Sequence, residues 1–176
     1  MDNRVVITGL GVVAPNGVGI EDFKYAIKHG ISGIRYNPEL EALGFSCQIS
    51  GTPPLLPEHI SDCFSELELR NFKSTGIMYG VIAGMEAWKD AGLQISDKIE
   101  PDWDSGIVFG TGTSGIDKFR EAIYKIDNHE VRKLGSTVVS QIMGSAVSAH
   151  LGGKLGLGNQ VTSNSSAWMG KDKRDV

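Results

Sequence analysis

Hydrophobic positions along the chain change period several times, and each change marks an element. Arg4–Val13, RVVITGLGVV, is a near-continuous β-branched run with glycines toward its far end. That pattern predicts a strand buried on both faces, at the centre of a layered sheet. Ala14-Pro15-Asn16-Gly17 reads as a turn. Across Gly19–His29, Phe23, Ala26 and Ile27 fall on one side and Glu21, Lys24 and Lys28 on the other, which predicts an amphipathic surface helix closed by Gly30. From Ile31 to Ser65 the pattern dissolves into an excursion containing Pro38, Pro53, Pro54 and Pro57. One short strand at Phe45–Ile49 and a cap or interface role are expected there. Glu66–Gly92 then predicts one long helix, because Leu69, Phe72, Gly76, Tyr79, Ala83 and Ala87 recur at three or four residues. Gly76, Gly80 and Gly84 each cost that helix about 1 kcal/mol of propensity and call for a second backbone close by.

After a loop at Asp97–Asp104, Gly106–Phe109 predicts a second buried strand. Two strands separated by helices imply a parallel α/β sheet. Gly110-Thr111-Gly112-Thr113-Ser114-Gly115 spells GxGxxG between that strand and a helix at Ile116–Ile126. Ser136–Leu151 lacks Asp, Glu, Lys and Arg, so it predicts a helix buried on both sides, between sheets. Lys154–Gly170 closes the pattern with a glycine-punctuated turn, a short strand at Val161-Thr162 and a small-residue elbow at Ser163–Ala167, with Trp168 at its tip. Lys171-Asp172-Lys173-Arg174-Asp175 follows as an abrupt charged run.

Composition narrows the class. With 176 residues, 40% hydrophobic and 22% charged, the chain fits one ordinary globular domain, and a formal charge of −4 offers no basic footprint for nucleic acid or an anionic membrane. No apolar run approaches the ~18 residues of a membrane span and no export signal opens the sequence, so a cytoplasmic protein is expected. Cys47 and Cys63 fit no zinc or redox spacing, and reduced, half-buried thiols are expected, with no metal and no cofactor. His29 and His59 read as surface residues, and His150 as a helix-end or core residue. The 23 glycines, about twice the usual share of roughly 7%, imply close backbone packing.

The candidate chemistry sits at the elbow. A strand-to-helix turn of small residues normally lifts a Ser or Cys nucleophile to a helix N-terminus, where backbone N–H groups stabilise an anion. An indole cannot serve as that nucleophile. The GxGxxG loop suits either a nucleotide phosphate or, more simply, the wall of a substrate tunnel.

RVVITGLGVVAPNGVG, AGMEAWKDAGL, SGIVFGTGTSGI and the run into LGGKLGLGNQVTSNSSA, spanning residues 4–167 in order, resemble the N-terminal half of the β-ketoacyl-acyl-carrier-protein synthases. The resemblance implies an α/β chain, the N-terminal half of a thiolase-like αβαβα layered fold with an incomplete sheet. Residues 1–167 would form that half-domain, and 168–176 a charged tail departing from the family pattern. In the family an acyl chain passes from carrier protein to a Cys, a malonyl thioester loses CO2, and the carbanion condenses with the acyl-enzyme, helped by two His and a Lys of the C-terminal half. Counting from Gln160, which stands where the family usually has Pro, Trp168 falls at the position of that Cys and is not competent. Thr113 is carried over as a substrate-binding position, and Gln160, Val161, Thr162 and Ser163 as the strand that pairs across a dimer interface. Acyl carrier protein and acyl thioesters are the implied partners, with a homodimer or a dimer with a full-length synthase. The expectation is a truncated, inactive acyltransferase homologue, poorly soluble alone. Two alternatives stand beside it: a non-catalytic dimerisation partner of a full-length synthase, and a nucleotide-binding α/β protein using Gly110–Gly115.

Overall fold

The structure, a computed structural model, describes residues 4–95 and 100–165. In chain order the elements are β1 (Val13–Ala14), β2 (Gly17–Val18), α1 (Ile20–Lys28), β3 (Ile34–Tyr36), α2 (Pro38–Ala42), β4 (Ile49–Gly51), α3 (Pro57–Ser61), α4 (Glu66–Asn71) and α5 (Thr75–Asp90). They continue with β5 (Ile107–Gly110), α6 (Ile116–Asp127), a 3-10 turn at Val131–Lys133, α7 (Val138–Ile142), α8 (Ala146–Leu155) and β6 (Val161–Asn164). The described residues fall into two compact units, 4–63 with 82–94 and 64–81 with 95–165.

In the first unit the N-terminal run departs from expectation. Residues 4–12 form no strand, and Val5 and Ile7 are 92% and 83% exposed. Instead of a neighbouring strand, the run's amides find carboxylates on α5: Leu10 donates to Asp90 at 2.9 Å and Val12 to Glu86 at 2.9 Å. Its glycines permit this approach, since a Cβ on Gly11 would lie 1.9 Å from the Ala83 carbonyl oxygen. Glu86 also accepts the amide of Ile20 at 2.8 Å, satisfying the first turn of α1 where Gly19 has no side chain to cap it. The Ala14–Gly17 turn is as expected, with β1 and β2 paired antiparallel through Val13↔Val18 and Ala14↔Gly17. So is α1, which ends at His29 with Gly30 at φ +64.

The proline-rich excursion carries more order than its composition suggests. β3 and β4 pair antiparallel, Ile34↔Gly51 to Tyr36↔Ile49, so the strand foreseen at Phe45–Ile49 begins at its last residue. Asn37 caps α2 by accepting the Glu39 amide at 2.9 Å, with Pro38 in the first turn. Cys47 is exposed rather than half-buried, and Cys63 is half-buried.

The second unit holds most of the core: Phe64, Ile77, Val81, Ala122, Val147, Leu151 and Leu155 are all buried. Here two long helices of the sequence reading are each broken. Glu66–Gly92 divides into α4 and α5, and Ser136–Leu151 into α7 and α8. The physical reason for the first break is side-chain capping from distant residues. Gln141 Oε1 accepts the amides of Lys73 at 2.8 Å and Ser74 at 3.1 Å, and Asp117 accepts the Thr75 amide at 3.1 Å. These bonds supply the start of α5 with partners that a continuous helix would have drawn from its own preceding turn. Nor is the charge-free stretch buried all round, since Val139 is 70% exposed and Ala149 faces solvent.

A parallel pair is present, but between other strands than expected, since residues 4–12 form no strand to partner β5. β5 and β6 run parallel in register from Ile107↔Val161 to Gly110↔Asn164. β5 is covered on one face only, with Ile107 and Phe109 half-buried and Val108 exposed. α8 packs across the pair, where Gly152 brings its backbone to Val161 and Ile107, and Gly80 of α5 lets that helix close on Val147. A Cβ at Gly80 would meet Val147 Cγ1 at 2.4 Å, whereas one at Gly76 would only reach ordinary contact with Ser114 Oγ at 3.7 Å.

Candidate functional site

In parallel sheets, ligand sites gather beyond the C-terminal ends of the strands. At that end of β5 and β6 the Thr111 amide donates to the Asn164 carbonyl at 2.9 Å. The glycine-rich loop and the segment following β6 are therefore anchored side by side. Within the loop the Thr111 hydroxyl donates to the Thr113 carbonyl at 3.1 Å, and Thr113 itself is exposed. Ser114 Oγ is buried and has no hydrogen-bond partner among the described residues.

β6 is fixed from beneath by paired hydroxyls, Ser148 and Ser163, 2.6 Å apart, with Ser148 buried. The carbonyls of Gln160 and Asn164 accept amides of Ile107 and Thr111. By the alternation of a parallel ladder, Val161 and Ser163 turn their backbone groups to the opposite edge. Among the described residues no strand pairs with that edge. Val161, Thr162 and Ser163 thus lie on β6, with Gln160 immediately before it, and the far end of the strand adjoins the Thr113 loop. Trp168, Ser166, Ala167 and the charged tail lie outside the described residues.

The start of α6 is unlike a nucleotide cradle. Gly115, at φ +66, packs so tightly that a Cβ would lie 2.2 Å from the Gln141 carbonyl oxygen. Asp117 fills the first turn, bonded to the Thr75 amide and, at 3.4 Å, to the Ser74 hydroxyl. A phosphate drawn to this helix start would meet a carboxylate and a carbonyl oxygen.

A polar cluster joins α4 to α8. Lys154 Nζ lies 2.5 Å from Glu68 and 5.0 Å from the centre of the Phe64 ring, and Glu68 closes the capping box with Ser65. Burial pushes the Glu68 carboxyl up, but the hydrogen bonds from Lys154 and Ser65, with the Lys154 charge, outweigh it and hold the group down to about 2. His150 is half-buried near the end of α8 and stands edge-on to Phe72, ring centres 4.0 Å apart. Burial lowers its pKa, against the pull of Glu68. His29 and His59 serve local structure, His29 against the Tyr25 carbonyl and His59 accepting the Leu56 amide.

Sequence reading missed a basic groove between α4, α6 and α7. Its walls carry Arg70, Lys73, Lys118, Lys125 and Lys133 against the single carboxylate of Glu121, around a volume of about 240 Å³. The one signal was Lys118-x-x-Glu121-x-x-x-Lys125 on α6, whose i, i+3 and i, i+4 spacing places both ammoniums on one carboxylate. Among the described residues no cluster of His, Cys, Asp and Glu is placed to hold a metal ion, and no helix is long and apolar enough to cross a membrane.

The chain is similar to known proteins over most of its length. The 3-oxoacyl-[acyl-carrier-protein] synthase 1 of Haemophilus influenzae is 31% identical over 150 residues, covering 84% of this chain and 35% of that protein. Synthase 2 of Vibrio harveyi is 29% identical over 149 residues, covering 81% and 34%. The chain spans about a third of the length of these curated relatives. A solved complex of a type II polyketide synthase acyl-carrier protein with its ketosynthase, bound to a hexaketide, superposes with a TM-score of 0.71 at 26% identity, over 93% of this chain and 38% of that one. The fold is therefore that of the N-terminal part of the thiolase-like ketosynthases. The family model for the β-ketoacyl synthase N-terminal domain matches residues 2–167, and the chain belongs to that family.

Proposed function

We propose that this chain carries the acyl-binding end of a β-ketoacyl-acyl-carrier-protein synthase without its nucleophile. The observation that carries the reading is the Thr111–Asn164 hydrogen bond, which anchors the Thr113 loop beside the segment leading from β6 toward Trp168. In the relatives' chemistry an acyl group would leave its carrier-protein thioester for a Cys at that position, and a decarboxylated malonyl unit would then take it up. Here position 168 holds an indole, whose nitrogen lone pair belongs to the aromatic ring and whose bulk would fill the space a thiol needs. Residues 1–167 form the half-domain on this reading, 168–176 depart from it, and the protein works in the cytoplasm with acyl carrier protein as partner. The purified chain is expected to give no condensation product from malonyl and acyl carrier-protein thioesters. Turnover by homogeneous material would overturn the proposal.

A second reading, a non-catalytic partner that dimerises with itself or with a full-length synthase, draws support from the outer edge of β6, with which no strand pairs among the described residues. Val161→Pro removes an outward N–H while leaving the bonds to β5, and should abolish capture by a full-length synthase. Undiminished capture would exclude that edge. Nucleotide binding through Gly110–Gly115 loses ground to Asp117 and the Gln141 carbonyl at the start of α6.

A further inference from the structure

β4 forms one edge of the β3–β4 ribbon, and the absence of charge sets that edge apart. The Asn37 amide donates to the Gln48 carbonyl at 2.7 Å, one step beyond the Tyr36↔Ile49 pair. By the alternation of an antiparallel ladder, Arg35 and Ser50 then bond across the ribbon, while Ile49 and Gly51 turn their N–H and C=O groups outward. Both residues are exposed, and no strand pairs with that side among the described residues. Open edges are ordinarily guarded by charged side chains, Lys above all. Residues 43–57 hold no Asp, Glu, Lys, Arg or His, and Leu43, Phe45 and Ile49 are each more than half exposed.

We propose that this edge pairs with the same edge of a second copy of this chain, β4 against β4 about a two-fold axis at Ser50, joining the two ribbons into one antiparallel sheet. An antiparallel strand is its own complement about such an axis. Ile49 would stand opposite Gly51 of the partner subunit, a bulky residue facing one with no side chain, and each such pair would exchange both of its outward N–H groups for hydrogen bonds. On the axis Ser50 would meet its own copy, so no like charges oppose each other. That neutrality selects a second copy over a charged partner segment. The β3 edge fails the same criterion: an axis at Arg35 would set two guanidiniums face to face, and the outward Ile34 amide is already donating to the Ser32 hydroxyl at 3.1 Å. This edge is separate from that of β6, which belongs to the other compact unit.

The test uses the 176-residue chain carrying Val161→Pro, which disables the β6 edge and so separates this interface from the second reading above. Sedimentation velocity over a concentration series should show a reversible dimer. Adding Ile49→Lys, which charges the exposed edge, should leave a monomer with unchanged far-UV circular dichroism. Cross-linking in the otherwise native chain gives an independent reading. Ser50→Cys places two thiols in a non-hydrogen-bonded pair with Cα atoms about 4.5 Å apart, within the roughly 4.4–6.8 Å of a disulfide. Mild oxidation should link residue 50 to residue 50, as identified by peptide mass spectrometry. Cys47 would lie six residues along the strand from its own copy, about 20 Å away, and should stay unlinked. Failure of the 50–50 link to form, its replacement by a Cys47–Cys47 link, or a dimer that survives Ile49→Lys would overturn the proposal. So would a chain that stays monomeric and takes up an extended apolar peptide at this edge instead.

Discussion

The Thr111 amide and the Asn164 carbonyl, 2.9 Å apart, tie the first residue after β5 to the last residue of β6. That single bond places the glycine-rich loop and the elbow-bound segment at one end of one parallel pair. Everything proposed about acyl binding depends on that common end, so what holds the second unit together around it is open to direct tests.

Gln141 is the first. Its buried side-chain oxygen accepts two amides at the start of α5, while its nitrogen donates to the Thr137 hydroxyl at 3.2 Å. Gln141→Leu keeps the bulk but leaves the Lys73 and Ser74 amides without that acceptor. A loss of about 2–4 kcal/mol in urea unfolding, with unchanged m, is expected. A loss under about 0.5 kcal/mol, the range of neutral surface changes, would mean that the caps are replaceable.

Such capping explains what the sequence conceals. α1, α6, the strand β5 and the Ala14–Gly17 turn are legible because their signals are local: period, glycine caps and turn residues within a few positions. The breaks at residues 72–74 and 143–145 are not, since the first depends on Gln141 and Asp117, distant in sequence. Arg4–Val13 misleads for a related reason. Its β-branched run has the composition of a buried strand, but burial requires neighbours, and its amides turn to Glu86 and Asp90 instead. The groove stays hidden because its cations come from separate segments. The resemblance singled out Thr113 and residues 160–163 as candidates, and that they adjoin one sheet end is visible only in the structure.

Gly80 tests whether the glycine spacing of α5 reflects packing. Alanine would favour the helix by about 1 kcal/mol, but its Cβ would meet Val147 Cγ1 at 2.4 Å and Phe109 at 3.1 Å. Gly80→Ala is expected to destabilise by about 1–2 kcal/mol net, since overpacking outweighs propensity. Val147→Ala in the same chain should return part of that loss. Additive effects in the double-mutant cycle would contradict the contact.

Stability should fall on the acid side in two stages. His150 is held below its ordinary 6.5 by burial, beside Phe72, Glu68 and Lys154. Its contribution is full above about 6.5 and declines at lower pH, as the unfolded chain binds the proton first. Glu68 is held down to about 2 from 4.5, as is Glu121 through its hydrogen bonds with Lys118 and then Lys125. Their contributions are full above about 4.5 and are lost as pH falls toward 2. Urea midpoints measured from pH 7 to 2 should show both declines, with Glu68→Gln flattening the lower one and His150→Phe the upper. Unaltered profiles in both variants would refute the assignment.

The central claim is that position 168 is the nucleophile's place beside an otherwise formed acyl-binding end. Peptide mass spectrometry after incubation with an acyl-carrier-protein thioester tests it most directly, comparing the native chain with Trp168→Cys. The native chain should carry no acyl adduct, and the variant should be acylated at residue 168 in preference to Cys47 and Cys63. Acylation of the native chain, or a variant modified at Cys47 or Cys63 but not at 168, would contradict the account.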